Sequence, residues 1–237
     1  MIPIIVHTHS EYSFLWKAAI PLLQKYTPED CKIFWFSDTL LEYVLPPKFV
    51  FCKYDPKLSW SLRLKEYVDL IDSDYLIYLQ EDWLVINDID DEKITYLVHY
   101  MKDNAIEFMM SYTRGREEFI EKSKYDGYDF FKINGHYMQP AIWEKKLFMK
   151  IINMNVNISE YESNIVNSIT ANANCYAIKY TKTHDVSIPT LYYPHMHAIC
   201  GGKWTFVKYP KLKELVESYG IDTTSRGINE TWIVHFQ

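Results

Sequence analysis

The segment Tyr75-Leu-Ile-Tyr-Leu79 constrains the fold most, because an unbroken apolar run is followed at once by Gln80, Glu81 and Asp82. A strand with one wet face alternates apolar and polar residues. An uninterrupted run fits a strand buried on both faces, as at the centre of a parallel sheet. Other apolar runs, Ile2–His7, Lys32–Ser37, Phe49–Cys52 and Glu107–Tyr112, also read as strands. Helical spacing separates them. One helix runs from the polar turn Thr8-His9-Ser10-Glu11 to about Tyr26, with Pro21 starting or kinking its second part. Trp60–Asp72 carries Trp60, Leu64, Tyr67, Val68 and Ile71 on one face, and Ser59 or Ser61 can cap it. Asp91–Asn104 is the next helix. Strand and helix in alternation imply an α/β, Rossmann-like fold, with a mostly parallel central sheet flanked by helices.

The second half is less regular. Arg114–Asp129 reads as a polar, mobile loop. Phe130–Ile133, His136–Ala141 and Ser187–Tyr193 read as short strands, and Trp143–Met154, Ser159–Asn172 and Lys211–Tyr219 as helices. Repeats and linkers are absent, so the 237 residues read as a single domain.

Composition narrows the function. A net charge of −6 argues against a nucleic-acid partner held by a broad basic surface, yet a few local cations suffice for one nucleotide. The 20 tyrosines suit sugar binding, since each packs like an apolar residue and keeps a hydroxyl; a compositional bias accounts for them equally well. Cys31, Cys52, Cys175 and Cys200 lack zinc-ligand spacing and read as buried thiols in a reducing compartment. Met1–Val6 is too short for a signal peptide, and no run approaches the ~20 apolar residues of a membrane span. The expected location is the cytoplasm.

In open α/β sheets, ligands bind beyond the carboxyl ends of the strands. Glu81 and Asp82 stand at such an end, where oxygen ligands can hold Mg²⁺ or Mn²⁺ against a diphosphate. The alternative is an ordinary acidic turn. Leu79-Gln-Glu-Asp-Trp83 resembles the Asp-x-Asp region of GT-A-fold glycosyltransferases. The likeness is to small enzymes of bacterial surface-polysaccharide clusters and of large DNA viruses, including capsid glycosyltransferases of algal viruses. Trp60-Ser-Leu-Arg63, Gln139-Pro-Ala-Ile-Trp143, Ser159-Glu-Tyr-Glu-Ser163 and Gly201-Gly-Lys-Trp204 follow the same order along the chain. Gln80 departs from the pattern by replacing its first acid, which puts strict metal dependence in question.

The resemblance implies a nucleotide-binding half over about residues 1–112 and a smaller acceptor half over about 113–237. It implies a UDP- or GDP-sugar donor, Mn²⁺ or Mg²⁺, and a glycan or glycoprotein acceptor; if the source is a virus, the host cytoplasm is the place of action. Thr8, with His7 beside it, falls where such folds hold the nucleoside. Asp38 can accept hydrogen bonds from base or ribose, or can serve a turn. Arg63 can grip phosphate, or can lie solvated on the surface. Asp82 is the expected metal ligand, and Lys203 can assist the leaving diphosphate. His195 and His197 alternate on an extended segment and so point the same way, with His197 nearer the Gly-Gly-Lys turn and the better metal ligand. Glu162 is the expected general base and Glu160 its alternate, though both acids also suit a helix N-terminus. Trp83, Tyr137, Trp143 and Trp204 can offer flat surfaces to sugar rings or belong to the core.

Three other readings compete. A nucleotidyltransferase should carry a Gly-rich, basic first loop for triphosphate, which His7–Glu11 is not. A binding module of the same fold without activity fits the loss of acid at Gln80. A glycoside hydrolase needs two facing carboxylates, which nothing in the sequence establishes.

Overall fold

The computed structural model describes residues 1–111, 117–133, 139–160, 173–181 and 190–230. β1 (Ile4–His7), β2 (Ile33–Ser37), β3 (Phe49–Lys53) and β4 (Tyr75–Gln80) pair in parallel, in the order β3-β2-β1-β4. Next to β4 comes β9 (Ala141–Glu144), which runs antiparallel both to β4 and to β6 (Phe108–Met110). β10 (Cys175–Tyr180) lies parallel to β6, and β8 (Tyr128–Ile133) and β7 (Glu117–Lys122) finish the nine-stranded sheet as an antiparallel pair. β8 and β9 therefore oppose the direction shared by the rest, and the sheet is mostly parallel, as expected.

β4 is buried along its whole apolar run, and its side chains alternate between two cores. Tyr75, Ile77 and Leu79 pack with α1 (Ser13–Tyr26), α3 (Asp91–Asp103) and α6 (Pro210–Ser218). Leu76 and Tyr78 face α2 (Trp60–Val68) and α4 (Lys145–Ile152). The apolar stripe read on α2 supplies Trp60, Leu64 and Val68 to that second core. Its N-cap, Ser59, makes no capping bond; the hydroxyl donates to Asn155 Oδ1 (2.8 Å), while Ser61 Oγ accepts from Val156 N–H (2.8 Å). α2 is thus stitched to the chain that leaves α4.

Several expectations are corrected. Glu117–Lys122 is not a loop but edge strand β7, whose mostly exposed Glu-Glu-Phe-Ile-Glu-Lys sequence carries the charge typical of sheet edges. Trp143 does not begin a helix. It lies fully buried in β9, and α4 starts two residues later at Lys145. No strand is expected over Cys175–Tyr180, yet β10 lies there. The expected strand Ser187–Tyr193 falls partly outside the described residues, and the strand nearby is β11 (His195–His197). The expected strand over His136–Ala141 is half outside them, with Ala141 opening β9. Of the expected helix Ser159–Asn172, only the start is described, as α5 (Ile158–Glu160). Cys31, Cys52 and Cys175 are buried and Cys200 half-buried, all as thiols. No helix among the described residues is long and apolar enough to cross a membrane.

The hydroxyl of fully buried Tyr192 donates to Pro140 O (2.9 Å) and lies 3.2 Å from Met109 O, tying the approach to β9 to β6. Removing it strips a buried carbonyl of its partner. Tyr192→Phe should lower unfolding stability by about 1–3 kcal/mol in urea denaturation without changing the fold; an unchanged midpoint would contradict this role.

Candidate functional site

β1 and β4 end level with each other, His7 opposite Gln80, so the next residues, Thr8, Glu81 and Asp82, emerge together at one sheet end. They floor a cleft of about 660 Å³. One wall is the start of α2, with Leu58, Ser59, Trp60 and Arg63, joined by Asn157 and Ile158. The opposite lining comes from far along the chain: His197, Ile199, Cys200, Gly201 and Gly202, with His9 and Tyr12 completing the rim.

The distant segment is brought in by a small second ladder. β5 (Trp83–Val85) leaves the main sheet directly after Asp82 and pairs antiparallel with β11, placing His197 opposite Trp83. Ala198 N–H donates to Asp82 O (2.7 Å). As a result His197 Nε2 lies 3.1 Å from Asp82 Oδ2, both side chains mostly buried, and the imidazole stacks flat on Trp83 at 3.9 Å. Asp82 Oδ1 is buried and has no hydrogen-bond partner among the described residues. His195 does point the same way as His197 and meets the edge of Trp83, but it does not line the cleft. Its Nδ1 lies 2.6 Å from Tyr193 O, and burial drives its pKa down to about 3.

Thr8 is also held from behind. Trp16 Nε1–H donates to Thr8 Oγ1 (2.7 Å), Tyr54 O–H donates to the Thr8 carbonyl, and the Thr8 hydroxyl hydrogen-bonds Glu81. Glu81 is almost wholly buried; burial first, and then the neighbouring Asp82 charge, push its pKa well above the ordinary carboxylate value. His7 is buried beside it, stacked on Tyr54 at 5.4 Å, and its Nε2 has no partner among the described residues. Burial, with smaller contributions from Arg63 and His9, lowers the His7 pKa to about 3, so its imidazole is neutral.

Arg63 lines the cleft with its guanidinium 5.1 Å over Tyr54. Its Nε donates to Leu58 O (2.9 Å) and its Nη2 to Pro56 O (2.7 Å), which fixes the loop entering α2 and leaves other N–H groups of the fork unused by these bonds. The sequence offered no sign of this second task.

Other expected residues are not gathered into the cleft. Asp38 accepts from Ser10 N–H (2.8 Å) and Ser10 O–H (2.6 Å), clamping the turn after β1, and it does not line the cavity. Lys203 is exposed and outside the lining, whereas Gly201 and Gly202 beside it belong to it. Glu160 forms a reciprocal cap: its Oε2 accepts from Asn157 N–H (2.9 Å) and its own N–H donates to Asn157 Oδ1 (2.9 Å). Glu162 and Tyr137 lie outside the described residues. Trp143 and Trp204 are core residues, while Trp83 backs His197. Tyr54 was missed, although it follows β3 directly and the same strand-end rule would have found it.

No family model matches the chain, and no curated protein matches it. Solved structures are similar in fold. A UDP-glucose pyrophosphorylase complexed with UDP-glucose is 9% identical, at a TM-score of 0.49 over 93% of this chain and 99% of that one. A CMP:2-keto-3-deoxy-manno-octonic acid synthetase complexed with CTP is 11% identical, at 0.47 over 92% and 98%. The bifunctional IspDF from Campylobacter jejuni is 13% identical, at 0.44 over 81% of this chain and 52% of that one, so the chain spans about half its length. Its own sheet order makes the molecule a Rossmann-like α/β protein with its cleft at the carboxyl ends of the parallel strands. Likenesses this remote carry no argument about which reaction it performs.

The buried Glu81 makes a sign-definite prediction. A carboxyl whose folded pKa is raised contributes stability below its ordinary pKa and loses it as pH rises toward the folded value. Glu81→Gln removes that loss. The variant should therefore gain melting temperature relative to wild type as pH is raised from about 4.5 to 8; a wild-type advantage that grows with pH would contradict it.

Proposed function

We propose that the cleft binds a nucleoside-diphosphate sugar, UDP- or GDP-linked, and that the protein transfers the sugar to a hydroxyl of a glycan or glycoprotein. The observation that carries this reading is the Asp82–His197 pair at the tip of β4, with one buried carboxylate oxygen unpartnered among the described residues.

Carboxylate plus imidazole is an incomplete ligand set for a protein-only metal cage, and no group of three or more metal-binding side chains occurs among the described residues. It does suit Mn²⁺ or Mg²⁺ shared with substrate, since such ions commonly take one or two protein ligands and complete their shell with phosphate and water. Asp82 and His197 would hold the ion, with Gln80 near as a neutral oxygen. Bound there, it would neutralise charge on the departing diphosphate.

Charge balance favours a diphosphate over a triphosphate. Among the described residues the lining contains Arg63 as its formal cation, against Asp82 and against Glu81, whose pKa burial and the Asp82 charge raise. A sugar diphosphate brings about two negative charges, which one divalent ion offsets; a triphosphate brings about four and would need further cations. The turn after β1, His7-Thr8-His9-Ser10-Glu11, offers no glycine and no lysine or arginine for them.

The remaining roles belong to the chain. Arg63 has spare N–H groups for a phosphate oxygen. Thr8, braced by Trp16, and neutral His7 offer fixed polar atoms to the nucleoside. Asp38 serves as the clamp of the Ser10 turn, and Lys203, exposed beside Gly202, could approach the diphosphate from outside the lining. Acceptor deprotonation falls to Glu162, with Glu160 as alternate already bonded to Asn157. Nucleotidyl transfer is the competing reading.

Mn²⁺ should quench tryptophan fluorescence through Trp83, and UDP- or GDP-sugars with Mn²⁺ should raise the melting temperature. Asp82→Asn and His197→Ala should each weaken Mn²⁺ binding by about tenfold or more. Turnover should release a nucleoside diphosphate. Release of pyrophosphate from a nucleoside triphosphate and a sugar phosphate would instead establish nucleotidyl transfer.

A further inference from the structure

Strands β12 (Ile199–Cys200) and β13 (Lys203–Trp204) form a short hairpin whose turn is Gly201–Gly202, at φ 58° and 75°. Two successive left-handed residues give the tight turn that matches the twist of a hairpin. Both glycines line the cleft. A Cβ on either would meet nothing within 4 Å, so the backbone angle alone calls for glycine.

An isolated two-stranded hairpin is marginal in water and needs outside support. The segment after α6 supplies it. Trp204 N–H donates to Gly227 O (2.9 Å), Asn229 N–H to Trp204 O (2.8 Å), and Asn229 Nδ2 to Cys200 O (3.4 Å). These bonds hold the hairpin's strands. Among the described residues, Arg226 ties the turn itself: its Nη1 donates to Gly202 O (3.4 Å).

The same guanidinium lies 4.5 Å over Phe14 and 5.3 Å over Tyr12. Tyr12 lines the cleft from the rim built by the turn after β1, and Phe14 sets its ring edge-on to Trp204 at 5.9 Å. Arg226 therefore touches two lips of the cleft at once without lining it. A planar guanidinium can lie on aromatic faces and still donate in its own plane; a lysine ammonium cannot do both with comparable geometry.

We propose that Arg226 is a positioning residue that fixes the Gly201–Gly202 turn against the Tyr12 lip, so that the turn's backbone meets the phosphates of a nucleoside diphosphate at a set distance. This rests on the donor reading above and deepens it. The sequence puts Lys203, beside this turn, forward to assist the leaving diphosphate; the cation bonded to the turn is Arg226, separated from it by more than twenty residues.

The test compares wild type, Arg226→Ala and Arg226→Lys in the full chain. Without ligand, amide exchange over residues 199–204 should quicken by about tenfold in the alanine variant, with α3 unchanged. UDP and GDP affinity in the presence of Mn²⁺ should fall by about tenfold, while affinity for Mn²⁺ alone stays at the wild-type value. Arg226→Lys keeps charge and ring contact and should recover part of the loss; should the alanine variant unfold, the lysine variant carries both measurements. Unchanged exchange would overturn the strut. Faster exchange with unchanged nucleotide affinity would overturn its role in positioning phosphate. If wild type binds neither UDP nor GDP, the donor reading falls, and the exchange measurement still decides whether Arg226 holds the turn.

Discussion

A strand buried on both faces can carry polar side chains only past its last ladder position, because a charge within the run would enter one core or the other. β4 obeys this constraint. Its apolar residues alternate between two cores, and Glu81 and Asp82 follow at the first level where the sheet opens. Everything else in the site is arranged around that tip. β1 ends at the same level, α2 begins beside it, and β11 reaches it through the β5 ladder.

The tip is electrostatically divided. Glu81, closed in by burial and next to Asp82, is pushed toward its neutral form and receives the Thr8 hydroxyl. Asp82 is held against His197, with one oxygen unpartnered among the described residues. Two adjacent carboxyl groups in different surroundings can serve different ends, one as a neutral part of the wall and one as a charge presented to a ligand. Among the described residues the lining carries one arginine against two carboxyl groups, which suits a ligand whose phosphates arrive together with a divalent ion.

The centre of this arrangement was legible in the sequence because the signals there are local. An apolar run followed by acids marks a central strand end, and alternation in His195-Met-His197 placed both imidazoles on one side. Local signals failed where distant segments decide the outcome. Trp143 sits in an apolar stretch that suits a helix start or a strand equally; insertion of β9 between β4 and β6 made it a strand. β7 hid behind the polar composition of an exposed edge. Nothing near Asp38 reveals that Ser10 occupies both its oxygens, nor near Arg63 that Leu58 and Pro56 carbonyls claim part of its fork. Arg226 escaped notice because its partners, Tyr12, Phe14 and Gly202, are remote from it along the chain.

The most direct measurement is a crystal grown with a nucleoside-diphosphate sugar and Mn²⁺, with diffraction collected at the manganese edge. An anomalous peak in contact with both Asp82 and His197, with the diphosphate reaching it, is the predicted result. A diphosphate bound elsewhere, with no manganese at the tip of β4, would contradict the account.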